Sequence, residues 1–135
     1  MQLAIRRALP VLVMGLALYA THANAFDLNG AWASDASICG KIFVKKKDGL
    51  SIARDSDLYG RGFIVYDNKI RGKMAACGIK SQKEQSGIVN MVAVCSTDIA
   101  LSTVQFTLKI DDDNKVTRLF SGLPELSVSY VRCPL

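Results

Sequence analysis

The sequence predicts an all-β domain: a small antiparallel up-and-down barrel of about eight strands, with one short helical turn and a disulfide framework. Three observations carry this expectation. Apolar and β-branched runs recur at short intervals between clusters of Gly, Asp and Asn, and no apolar stripe at helical spacing outlasts two turns. Four cysteines follow a segment laid out for export. Finally, eight or nine sequential antiparallel strands leave two unpaired edges unless the sheet curls shut.

The chain divides into an address, residues 1–25, and a single domain, residues 26–135. Arg6 and Arg7 precede a 13-residue apolar run from Ala8 to Ala20, and Ala23-Asn24-Ala25 supplies the small-x-small pattern that a signal peptidase accepts. A membrane-spanning helix needs about 20 apolar residues, so cleavage after Ala25 is expected rather than anchoring. The mature chain then begins at Phe26, in the periplasm or outside the cell. Without Arg6 and Arg7 the count falls to 15 basic residues against 12 acidic, a net charge of +3, and the only histidine, His22, is also lost. The remaining 110 of the 135 residues suit one domain with one core.

Strands are expected at 29–34, 41–46, 49–54, 61–66, 69–80, 88–97, 103–110, 115–121 and 126–133. A helical turn fits Asp35 to Ile38, with Ser34 or Asp35 as its cap. Lys47-Asp48-Gly49, Asp67-Asn68 and the 111–114 run Asp-Asp-Asp-Asn supply turn residues that tolerate left-handed dihedrals. Alternation is plainest where Val104, Phe106, Leu108 and Ile110 share one face, and again where Leu126, Val128 and Tyr130 do. An outer-membrane barrel needs about 9–11 residues per strand, and 41–46, 49–54 and 61–66 are shorter, so no membrane span is expected.

Cys39, Cys77, Cys95 and Cys133 read as two disulfides, because zinc or dithiol chemistry would want C-x-x-C pairs and none occurs. Three connectivities are possible. Cys77 and Cys95 stand almost symmetrically about Gln85-Ser86-Gly87, as cross-strand neighbours in a hairpin would. Cys39 and Cys133 flank the first and last strands, which meet if the sheet closes. The favoured pairs are therefore Cys77–Cys95 and Cys39–Cys133.

Asn29-Gly30-Ala31-Trp32, on the first strand, resembles the Gly-x-Trp of lipocalin-like and related calycin barrels, with Gly30 and Trp32 on the family's glycine and tryptophan. The resemblance implies that Trp32 packs across one end of the barrel and that the last strand, 126–133, returns to the first. The chain is shorter than typical lipocalins and carries none of their later motifs. It is equally similar in shape to small bacterial periplasmic barrels, protease and lysozyme inhibitors among them.

The chemistry that can be read is mostly chemistry excluded. Without a histidine after Ala25, and without Gly-x-Ser-x-Gly, no nucleophile–base pair is selected, and no enzymatic activity is expected. The carboxylates sit mostly in turns and at strand ends. The 111–114 run lacks the alternating ligands, sixth-position glycine and terminal glutamate of a calcium loop, so neither metal nor cofactor is expected. Lys45-Lys46-Lys47 has no interleaved aromatics, which argues against nucleic acid. Tyr59-Gly60-Arg61-Gly62 has the composition of a binding loop at a barrel mouth, or of a glycine turn.

The candidate binding residues are thus Tyr59, Arg61, Trp32 and Tyr130. The expected function is binding: first an interaction or inhibitor-type protein with an unknown protein partner, second a carrier of a small apolar or amphipathic ligand, third an unrecognised hydrolase. A monomer is expected. Bulky Trp32, Phe106, Leu108, Val128 and Tyr130 facing small Gly72, Ala76 and Gly78 suggest a filled core with at most a shallow mouth site.

Overall fold

The computed structural model describes residues 25–135, so the expected export segment lies outside the description except for Ala25. Ten strands form: β1 (Gly30–Ala33), β2 (Phe43–Lys46), β3 (Gly49–Ile52), β4 (Gly62–Tyr66), β5 (Lys69–Arg71), β6 (Ala76–Gln85), β7 (Ile88–Ser96), β8 (Leu101–Asp112), β9 (Lys115–Leu119) and β10 (Val128–Cys133). Eight of them close into an antiparallel barrel in the order β1-β10-β9-β8-β7-β6-β5-β4. The β2–β3 pair stands apart as a hairpin. Closure leaves the barrel no free edge. The closed ladder and both disulfides lie wholly within residues 26–135.

The turns form where residue chemistry allows them. Asp67 and Asn68 take φ of 49° and 57°, and Ser86 and Gly87 take 52° and 74°, the left-handed pairs that match the twist of a two-residue hairpin. Asp112 Oδ1 accepts from the Asn114 N–H at 2.8 Å, closing the third hairpin by Asx-turn chemistry.

Three expectations are corrected. The stretch 69–80 is two strands, because the chain bends at 72–75, where the Gly72 N–H donates to the Ala75 carbonyl at 2.8 Å. Residues 41–54 belong to an excursion outside the barrel, and Cys39–Ile42 is a helical turn (α1) rather than the start of a strand. Leu126 lies in the 3-10 turn Pro124–Leu126, exposed, while Val128 and Tyr130 face the core.

The excursion explains why β1 is buried on both faces. Trp32 points inward, while Ala31 and Ala33 point outward beneath Ile38, Cys39, Ile42 and Phe43, which form a second small core with Ile64 and Cys133. Asp35 caps the turn at Ala36–Ile38, its carboxylate accepting from the Ser37 N–H at 2.7 Å. Those hydrogen bonds from Ser37 hold its carboxyl below the usual range. Close approach requires glycine here. A Cβ on Gly60 would lie 2.5 Å from Ile38 Cδ1, and one on Gly62 would lie 2.5 Å from Ile42 Cδ1 and 2.9 Å from the Trp32 carbonyl oxygen. The Cys39–Cys133 disulfide pins α1 to the end of β10, and Cys77–Cys95 joins directly opposed residues of β6 and β7.

Candidate functional site

The two ends of the barrel differ in construction. The end carrying the turns at 67–68, 86–87 and 113–114 is closed by Trp32, which is wholly buried. Its Nε1–H donates to the Leu28 carbonyl at 2.8 Å, and Phe26 packs at its side with ring centroids 6.3 Å apart. Arg132, directly opposite Trp32 in the β1–β10 ladder, lays its guanidinium over the indole, 4.3 Å from the centroid. The same guanidinium donates to the carbonyls of Asn29, of Asp27 at 2.8 Å and of Asp113 at 3.1 Å. The Phe26 N–H donates to Glu84 Oε2 at 2.7 Å, so the incoming chain is tied across the base.

The opposite end, where the connections 72–75, 97–100 and 120–127 lie, opens into a cavity of about 370 Å³ inside the barrel. Its walls are apolar: Val65, Ile70, Met91, Val104, Phe106 and Leu108, with the Cys77–Cys95 disulfide on one side. Phe63 and Tyr130 meet edge to face at its floor, centroids 4.9 Å apart, and Trp32 stacks beneath Phe63. Thr97 and Ser102 bring hydroxyl-bearing side chains to the mouth. The volume lies in the range of small-ligand sites, and an apolar wall with a few convergent polar groups is their usual chemistry.

The interior is therefore less filled than the sequence suggested. Ala76 is exposed and Gly78 precedes the inward Ile79, so of the small residues expected on the inner wall Gly72 alone lines the cavity. The room comes from Gly62, Gly72 and Ala75 at the rim, where no long side chain reaches across.

Among the described residues, one charged side chain faces this space. Arg118 alternates with buried Val116 on β9 and lies between inward Leu108 and Val128 in the ladders. Its guanidinium stacks on Phe106 and Phe120, 4.7 Å from each centroid. Among the described residues no carboxylate stands within ion-pair distance of it. An arginine stacked between rings is oriented, yet its N–H donors remain available for a planar or tetrahedral anion.

Of the residues singled out in the sequence, Trp32 and Tyr130 come together through Phe63, one as the plug and the other as the floor. Tyr59 and Arg61 stand outside the barrel on the connector into β4. Tyr59 is 45% exposed, with Lys41 Nζ 5.2 Å from its ring centroid. Arg61 is fastened by its main chain, its carbonyl accepting from the Ser34 N–H at 2.9 Å and its N–H donating to Ser34 Oγ at 3.2 Å. Arg118 and Arg132 were missed, although period-two alternation with Val116 and Tyr130 already places both on the inner face.

Comparison with protein-family models, curated proteins and solved structures finds no match. What fold and site define is a class: a closed eight-stranded antiparallel barrel, compatible with a calycin-like fold, plugged at one end and hollow at the other.

Proposed function

We propose that this protein is a non-enzymatic binding barrel of the periplasm or extracellular space that holds one small amphipathic anion. The apolar body lies against Phe63, Met91, Val104 and Tyr130, and the anionic group meets Arg118. The supporting observation is the ring-stacked Arg118 guanidinium, without an ion-pair partner among the described residues, facing an apolar cavity of about 370 Å³. Burying a cation without a counter-charge is unfavourable, so an anion supplied from outside would relieve the site as well as fill it. Two disulfides fit an oxidising compartment.

The test is a titration of oxidised residues 26–135 with decanoate and with decanol. Saturable one-to-one binding of decanoate at micromolar concentration is expected, with decanol weaker. Arg118→Met should erase the difference between the two while leaving the barrel folded. No saturable binding of either would overturn the proposal. A second reading, an inhibitor-type protein acting through its loops, draws support from the exposure of Tyr59. Native mass spectrometry of protein purified from its host separates the two, by a co-purifying small molecule or by a protein partner.

A further inference from the structure

The mouth of the barrel carries large apolar side chains turned to solvent. Ile99 is 95% exposed, Leu58 77%, and Met74 and Leu101 each 74%. Leu58 stands on the connector into β4, Met74 on the 72–75 connection, Ile99 on the 97–100 connection and Leu101 at the start of β8. Met74 shares a surface depression with Thr97 and Asp98, which places the 72–75 and 97–100 connections side by side. Leu58 adjoins Asp57, whose carboxylate accepts from Lys73 Nζ, so the connector into β4 is tied to the 72–75 connection. Single exposed apolar residues are ordinary, but four at neighbouring tips around one opening are not.

Beside these tips lies a cleft of about 300 Å³ between the β2–β3 hairpin and the end of β5. Lys46, Arg54, Arg71 and Lys73 line it, and no carboxylate does. Lys73 is engaged by Asp57 and by the Arg54 carbonyl. Lys46, Arg54 and Arg71 have no ion-pair partner among the described residues. Arg71, Gly72 and Lys73 line both this cleft and the depression that holds Met74, so basic and apolar parts form one continuous surface, with Asp98 at its far edge.

We infer that this surface docks the mouth of the barrel onto an anionic phospholipid bilayer. The apolar tips would enter the acyl boundary while the basic cleft holds headgroup phosphates. A folded protein partner would need a matching socket for every protruding tip. A bilayer interface deforms around each one, and its negative potential complements the unpaired cations. Docking of this kind goes beyond ligand binding inside the barrel, and it stands or falls without it.

The experiment is co-sedimentation of oxidised residues 26–135 with vesicles of phosphatidylcholine alone and of equal parts phosphatidylcholine and phosphatidylglycerol. Binding is expected only to the anionic vesicles, and it should weaken as salt is raised. Arg54→Glu with Arg71→Glu should lower partitioning by at least tenfold, in line with roughly fivefold per basic residue near such a surface. Met74→Asp with Ile99→Asp should lower it comparably. All four positions are exposed, so the melting temperature should hold in each variant. No binding to anionic vesicles would overturn the inference. So would binding that survives Met74→Asp with Ile99→Asp, or that heparin displaces without any contribution from the tips, because the cleft would then be a site for soluble polyanions alone.

Discussion

Arg132 and Arg118 both face the barrel interior, and both lie over aromatic rings, at opposite ends of the molecule. Arg132 spends its donors on the carbonyls of Asp27, Asn29 and Asp113, thereby fastening three chain segments over Trp32. Arg118 is positioned by Phe106 and Phe120, with no carboxylate near it among the described residues. The same residue type is thus a structural tie where its donors are used internally and a candidate recognition group where they are not. Hydrogen-bond accounting separates the two roles better than burial does, since both arginines are half-buried.

The comparison can be broken most forcefully through the covalent tie on the closed side. Replacing Cys39 and Cys133 by Ser opens a loop of 94 residues and should destabilise the domain by about 4–5 kcal/mol in denaturant unfolding. The shorter Cys77–Cys95 closure, of 18 residues, should be worth about 3 kcal/mol. A smaller loss from the longer closure would mean that the excursion holds to the barrel without its disulfide. Trp32→Ala should follow at about 3–5 kcal/mol, because it empties the plug and orphans the Leu28 carbonyl. An unchanged melting curve would place the stability of the closed end elsewhere.

The arginines sharpen the contrast directly. Arg132→Met should destabilise by about 2–3 kcal/mol, as charge-assisted hydrogen bonds to three carbonyls disappear. Arg118→Met should cost at most about 1 kcal/mol, because it gives up stacking on Phe106 and Phe120 but no internal hydrogen bond. Equal losses from the two would erase the distinction.

The smallest effect concerns acid. The Lys73 ammonium donates to Asp57 and holds its carboxyl below the ordinary value of 3.8. A folded-state pKa below the unfolded one means that the contribution is full above 3.8 and fades as pH falls through the folded value. Asp57→Asn should therefore lower the melting temperature slightly at neutral pH and converge with the parent as pH falls below the folded-state value. The pair is exposed, so the change is modest.

Fold and site were unequally legible in the sequence. Closure, the strand order from β6 to β10 and both disulfide pairings follow from alternation and turn chemistry, which are local signals. The excursion was misread because Lys41 to Lys46 has strand composition. Its helical turn is fixed by tertiary contact, with Ile38 and Ile42 packed on Ala31, Ala33 and Gly62. Tyr59-Gly60-Arg61-Gly62 reads in the sequence as a binding loop or a glycine turn, and its two glycines serve as spacers for that contact. The cavity was illegible because it depends on which small residues sit at the rim. Gly72 and Ala75 reach it only after the chain bends within the stretch expected to be one strand.

The brevity of β5 has a kinetic consequence. Its three residues, Lys69–Arg71, are all that joins β4 to β6, whereas the neighbouring β6–β7 pairing is long and cross-linked by Cys77–Cys95. The seam between the first and last strands is held by Arg132 and by the Cys39–Cys133 bond through α1. Transient opening of the wall should therefore concentrate at β5, next to Gly72 and the mouth. The Ile70 amide should exchange with deuterated solvent well before those of Val89 and Val116, and the gap that opens there enlarges the way into the cavity.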